Sequence, residues 1–288
     1  MVYNNFNHSN RKEILMNNIV ICTNNLVPQA LFRKVLMNAF IQADMVGDTH
    51  VSVVSHYPVF ENYIYLYREF VKEEHKSFSD VILKEPFFDP DIFESTYDNM
   101  VVGECEYSHL TIYRQLREGA FRRLEANVVI MEHDVLYPLN YLKTVSGILN
   151  AGMDACYWAK GKFFSNSGFF EVPNVMTLSR FSMKWDQFIK VFENKLEKKL
   201  TFVEPLLDGI PVSGDLSEEV VTRKFAMVHG IDTLDIRHGL NVSGNYIVEE
   251  YSDCHEYWGS ASEIFPLIDG PCKTFVEKHP SCNYGIWS

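Results

Sequence analysis

The sequence predicts an α/β protein built on a mixed, mainly parallel sheet flanked by helices. Three observations carry that prediction. Short apolar runs recur at 19–22 and 128–131, with a third interrupted by Ser52 at 51–54, as expected of strands buried on both faces. Stretches with apolar residues at helical spacing lie between them. Polar and acidic residues stand just after the runs, at the strand ends where open α/β sheets bind ligands.

The elements follow in order. Ile19-Val20-Ile21-Cys22 reads as a strand closed by the turn-forming Thr23-Asn24-Asn25. Pro28 opens a helix with Leu31, Phe32, Val35, Leu36, Ala39 and Phe40 on one stripe. Val51-Ser52-Val53-Val54-Ser55 is a second strand, ending at His56-Tyr57-Pro58. Residues 60–107 are aromatic, rich in Asp and Glu, and take no clear pattern. Ser108 is placed to cap a helix in which Ile112, Leu116, Ala120 and Leu124 recur every four residues. The 128–131 strand comes next, then a short helix near 139–150 and a strand around 154–160. Leu178, Phe181, Trp185, Phe188, Phe192 and Leu196 predict one long helix, and residues 233–236 a late strand.

Composition bounds the function. With 47% hydrophobic and 14% aromatic residues among 288, the chain fills a substantial core, and disorder is excluded. A net charge of −12 argues against a general nucleic-acid-binding surface. The six cysteines form no close CxxC pair; Cys22 and Cys156 lie in apolar segments and read as reduced core residues. Cys254, His255, Cys272, His279 and Cys282 would make a zinc site only at irregular spacing. Residues 1–17 are polar and Asn-rich without an apolar signal-peptide core, and no run reaches transmembrane length. The expectation is a soluble cytoplasmic protein. Its parts are a flexible segment at 1–17, one domain at 18–245, and an extension at 246–288 packed on or near the active site.

The 128–131 strand runs into Glu132-His133-Asp134. In a continuing strand, Glu132 and Asp134 point the same way. Carboxylates so close repel each other, and a divalent cation resolves the repulsion; oxygen ligands of this kind suit Mg²⁺ or Mn²⁺. A capped turn beside a solvated carboxylate is the plainer reading of the same residues.

The order of elements, with this acidic strand end in mid-chain, resembles the GT-A fold of nucleotide-sugar glycosyltransferases. Glu132-His133-Asp134 stands in the place of that family's DxD motif, with Glu replacing the first Asp. The resemblance spans roughly residues 18 to 245 and implies a metal held on the donor diphosphate by Glu132 and Asp134. Many members add a late His to the metal, and His238, beside Gly239, matches that location. Phe164-Ser165-Asn166-Ser167-Gly168-Phe169 looks like the small-residue loop near the donor sugar, although an ordinary hairpin turn fits it too. Gly214-Asp215-Leu216-Ser217-Glu218-Glu219 looks like the acidic segment opening the acceptor-side helix, and is equally a capping box.

The resemblance implies a metal-dependent transfer of a sugar, from a UDP-sugar before a GDP-sugar, to a hydroxyl acceptor. Asp215, Glu218 and Glu219 are the candidates to deprotonate that hydroxyl. Thr23, Asn24, Asn25 and His56 at the strand ends, with Arg114, His133, Ser167 and Gly168, are the candidates to line the donor pocket. A glycan or polysaccharide is the expected acceptor class; a hydroxymethylated DNA base stays open but is disfavoured by the acidic balance. Two alternatives remain. A sugar-phosphate nucleotidyltransferase would carry a Gly-rich basic loop after the first strand, and Thr23-Asn24-Asn25-Leu26-Val27-Pro28 has none. A non-catalytic carbohydrate-binding protein would need no metal carboxylates.

Overall fold

A computed structural model describes residues 16–56, 96–102, 109–172, 177–197, 206–207, 210–211, 224–238 and 250–268. Strand β1 (Asn17–Thr23) lies in the middle of a seven-stranded sheet, parallel to β2 (Thr49–Ser55) on one side and to β4 (Asn127–Glu132) on the other. Beyond β2 comes β3 (Thr96–Val101), also parallel. Beyond β4 come β9 (Phe181–Lys184), then β6 (Ala155–Trp158) and β12 (Phe225–Val228). Only β9 runs against its neighbours in this sheet.

The central strands are apolar on both faces because both faces are covered. On one side Ile19, Ile21, Val51, Val53, Val129 and Met131 meet α1 (Gln29–Val46), whose six-residue stripe from Leu31 to Phe40 is buried as the spacing predicts. Helices α3 (Tyr141–Asn150) and α5 (Ala261–Ile268) pack beside α1. On the other side Val20, Val54, Val128 and Ile130 meet α2 (His109–Ala120) and α4 (Trp185–Glu197). Among the described residues no helix is long and apolar enough to cross a membrane.

A second sheet sits at the carboxyl end of the first. It joins β5 (Val135–Leu136), β13 (Thr233–Ile236), β7 (Gly161–Ser165) and β8 (Gly168–Phe170) in that order. Two short ribbons complete the strands: β10 (Leu206–Leu207) with β11 (Ile210–Pro211), and β14 (Cys254–His255) with β15 (Gly259–Ser260). Residues 250–268 are built into the main core: Trp258 is fully buried, and the Tyr257 hydroxyl accepts the Leu139 N–H at 3.2 Å. Cys22 and Cys156 are free thiols.

Three sequence expectations change. The stripe from Leu178 to Leu196 is not one helix: Leu178–Arg180 forms a 3₁₀ turn, Phe181–Lys184 is β9, and the helix starts at Trp185. Phe181 fits helical spacing, but with Met183 it also satisfies strand alternation, and the gap between β4 and β6 takes the two as a strand. On α2 the buried stripe is Tyr113, Leu116 and Ala120; Ile112 is 37% exposed, and Leu124, past the helix end, is 61% exposed. Glu132 and Asp134 do not share a strand, because β4 ends at Glu132 and a turn precedes β5.

Candidate metal centre

The chain runs from β1 outward to β2 and β3, then returns to place β4 on the opposite side of β1. That reversal makes a topological switch point between the carboxyl ends of β1 and β4, the position where open α/β sheets form a ligand crevice. Thr23 ends one strand, and the Glu132-His133-Asp134 turn follows the other. A contact of 3.0 Å between Thr23 Oγ1 and His133 Nδ1 spans the crevice, joining residues 110 apart in sequence.

Strand β13 brings the third part. It pairs antiparallel with β5, immediately after the acidic turn, and the Ile236 N–H donates to the Asp134 carbonyl at 2.9 Å. The next residues, Arg237 and His238, therefore arrive beside the turn. His238 Nε2 stands 3.7 Å and His133 Nε2 3.9 Å from Asp134 Oδ2. The ring centroids of the two histidines are 6.3 Å apart. His133, Asp134 and His238 each offer one ligand atom, all within 4.8 Å of one another.

Electrostatics fit a cation here. Burial holds the His133 imidazole down to about 4; burial, with His133 and Arg237 nearby, holds His238 down to about 3. Both rings are thus neutral near pH 7, the form that ligates metal. The tautomer that leaves His133 Nε2 open is the one whose Nδ1–H donates to Thr23, a support of the kind that orients ligating histidines. Burial raises the Asp134 carboxyl, against Arg237. Burial, then Asp134 and Asp235, raise Glu132; burial, and Asp134 behind it, raise Asp235. A divalent ion would relieve this concentration of buried negative charge. Two imidazoles and one carboxylate suit Mn²⁺ or a later transition metal better than Mg²⁺, which takes oxygen ligands.

The other expected residues divide. Glu132 is at the turn but outside the three-ligand group. Thr23, Asn25 and His56 are buried and brace the strand ends: Thr23 Oγ1 accepts the Asn25 N–H at 2.9 Å, and Asn25 Oδ1 accepts the His56 N–H at 3.0 Å. Asn24 Oδ1 accepts the Leu26 N–H at 2.9 Å. Arg114 is exposed on α2. Ser167 and Gly168 form the β7–β8 hairpin; Gly168 has φ of 109°, and a Cβ there would come within 2.7 Å of the Ser252 carbonyl oxygen. That close approach of protein backbone accounts for the glycine. Tyr57, Asp215, Glu218, Glu219 and Gly239 lie outside the described residues.

The sequence reading missed the buried ion pair behind the turn. Arg237 Nε lies 3.2 Å from Asp235 Oδ1, and its guanidinium sits over the Phe163 ring at 4.9 Å. The signal was present, since Asp235 and Arg237 alternate around apolar Ile236 in a strand-like segment.

No protein-family model matches this chain, and no curated protein matches it in sequence. Solved structures are similar to it in chain path. Residues 1–349 of TarS from S. aureus give a TM-score of 0.41 at 8% identity, over 77% of this chain and 60% of that one. A putative glucose-1-phosphate thymidylyltransferase from Bacillus anthracis, in complex with a sucrose, gives 0.44 at 10% identity, over 75% and 87%. The mannosyltransferase PcManGT from Pyrobaculum calidifontis, in complex with GDP-Man and Mn²⁺, gives 0.41 at 12% identity, over 77% and 56%. The chain thus spans about 60% of the TarS structure it matches.

Proposed function

We propose that this chain is a divalent-cation-dependent glycosyltransferase that takes a sugar from a nucleotide sugar and passes it to a hydroxyl acceptor. The observation that carries the reading is the His133, Asp134 and His238 group at the crevice between β1 and β4. Mn²⁺ is the favoured ion because two of the three donors are neutral imidazoles. When bound, the ion would supply Lewis-acid neutralisation of the diphosphate leaving group. The chain's own part is to hold the ligands in place: Thr23 fixes the His133 ring, and the Ile236 N–H fixes the Asp134 backbone. Uridine is favoured over guanosine by the resemblance of the acidic turn to the DxD motif. A glycan or polysaccharide hydroxyl is the favoured acceptor, and Asp215, Glu218 and Glu219 are the proposed bases.

The nucleotidyltransferase reading gains no support at β1. Its exit is a short turn whose Thr23 and Asn24 side-chain oxygens accept N–H groups of the turn itself, in place of a loop shaped around phosphates. Calorimetric titration of UDP and GDP, each with Mn²⁺ and with EDTA, tests the proposal. Mn²⁺-dependent binding of one nucleotide is expected. Binding of neither would overturn the transferase reading itself, beyond the choice of donor.

A further inference from the structure

Arg180 is a buried guanidinium that the metal group does not use. It closes the 3₁₀ turn Leu178–Arg180 where β9 begins, between β6 and β4 at the end of the sheet that also carries the acidic turn, and is 3% exposed. Its Nε and Nη2 are buried without a hydrogen-bond partner, and no carboxylate makes an ion pair with it among the described residues. Space for it is written into the chain: a Cβ on Gly161 would collide with Arg180 Nη2 and Cζ. Arg180 and Arg237 both lie against the Phe163 ring, at 5.7 and 4.9 Å, yet only Arg237 has a carboxylate partner, in Asp235.

Arg180 is linked to the acidic turn by two hydrogen bonds. The Glu132 N–H donates to Tyr137 Oη at 3.1 Å, and the Tyr137 hydroxyl donates to the carbonyl of Ser179, next to Arg180, at 3.0 Å. A buried guanidinium with spare N–H groups is costly in a protein alone, and a ligand that brings an anion removes the cost. Its donors match phosphate oxygens. Glu132, Asp134 and Asp235, whenever ionised, would repel a phosphate approaching this end of the sheet.

We infer that Arg180 positions the anionic end of the ligand, its unbonded Nε and Nη2 groups drawing a diphosphate onto the acidic turn beside the cation, although its charge is also felt by Glu132 and Asp235. The inference rests on the nucleotide-sugar reading above. It assigns Arg180 a role opposite in sign to that of the metal ligands: Arg180 attracts the anion and repels the cation.

That opposition makes the test. Wild type, Arg180→Met, Arg180→Gln and Arg180→Lys are titrated with Mn²⁺ alone, then with inorganic pyrophosphate at saturating Mn²⁺. The neutral variants should bind pyrophosphate about 10- to 100-fold more weakly, the scale of a lost charge-assisted contact. Their Mn²⁺ affinity should stay level or rise, and Lys should recover part of the pyrophosphate loss. Unchanged pyrophosphate affinity, or parallel weakening of Mn²⁺ and pyrophosphate, overturns the inference; the second pattern marks Arg180 as merely structural. Should neither neutral variant fold, Arg180→Lys decides: it should bind pyrophosphate more weakly than wild type at level Mn²⁺ affinity, and unchanged pyrophosphate affinity overturns the inference. UDP binding with Mn²⁺ alongside Arg180-independent pyrophosphate binding would sink this inference and leave the transferase reading standing. Arg180-dependent pyrophosphate binding without UDP binding would do the reverse.

Discussion

Asp232 and Asp134 each have imidazole brought to them, and the two places behave oppositely. At Asp232 and His255, Nε2 to Oδ2 is 3.0 Å, and His255 Nδ1 accepts the N–H groups of Tyr257 and Trp258 at 3.2 Å each. The Trp258 indole N–H donates to the Asp232 carbonyl at 2.9 Å. Both ring nitrogens are engaged, and the His255 hydrogen bond holds the Asp232 carboxyl below its ordinary value. At Asp134 the imidazole nitrogens stand wider, at 3.7 and 3.9 Å, and the carboxyl is pushed up while both rings are pushed down. The first arrangement is complete within the protein and clips residues 250–268 to the turn before β13. The second has the charge and spacing of a group completed by a cation. Distance and the direction of the shift distinguish the clip from the candidate metal group; residue type alone does not.

Breaking the comparison at its strongest point means Asp134→Asn. Mn²⁺ affinity and Mn²⁺-dependent UDP binding should fall by more than about 100-fold, beyond the loss of a supporting group. Tm in EDTA should hold or rise, since a buried charge is removed. Calorimetry and thermal melts read both, and full Mn²⁺ binding in this variant would falsify the assignment.

His133→Ala and His238→Ala come next, each with a loss of about 10- to 100-fold in Mn²⁺ affinity. Glu132→Gln, altered just outside the three-ligand group, should cost less than either. A larger loss at Glu132 than at His133 would restore the order expected from the DxD resemblance. On the clip side, His255→Ala should leave Mn²⁺ affinity alone and lower unfolding free energy by about 1–3 kcal/mol in denaturant titrations.

The smallest effects are in pH, and they run in opposite directions. The raised Asp134 carboxyl favours the cation-free fold below the ordinary aspartate pKa of about 4, and that contribution is lost as pH rises above it. Mn²⁺ competes with the same proton, so the rise in Tm on adding Mn²⁺ should grow from pH 5 to pH 8. The depressed Asp232 carboxyl contributes stability that is present above about pH 4 and lost as pH falls through its lower folded value. His255→Ala and wild type should therefore converge in stability as pH drops below 4. A Mn²⁺ effect that shrinks with rising pH would contradict the first of these.

Much of the frame was legible in the sequence. β1, α1, β2, β4 and β13 were readable because burial on two faces or one stripe leaves a period that neighbours do not blur. The places of Asp134 and His238 in the candidate group were readable from the acidic strand end and the late histidine; that of His133 was not. Strand alternation turns it away from Asp134, and only the turn after Glu132 swings both side chains to one place. Arg180 was illegible for a related reason, since its segment reads as helix, and its neighbours Gly161 and Phe163 come from another sheet.

The pairing of β13 with β5 is short, fixed by Leu234 against Leu136 and Asp235 against Val135. It works as a ruler for the site. A slip of one residue would move the chain by about 3.3 Å and exchange inward for outward side chains. Asp235 and Arg237 would then trade places with Ile236 and His238, and the imidazole would leave the aspartate. Length therefore matters more here than side-chain identity: a single residue inserted within β5 or β13 threatens the centre more than most substitutions within it.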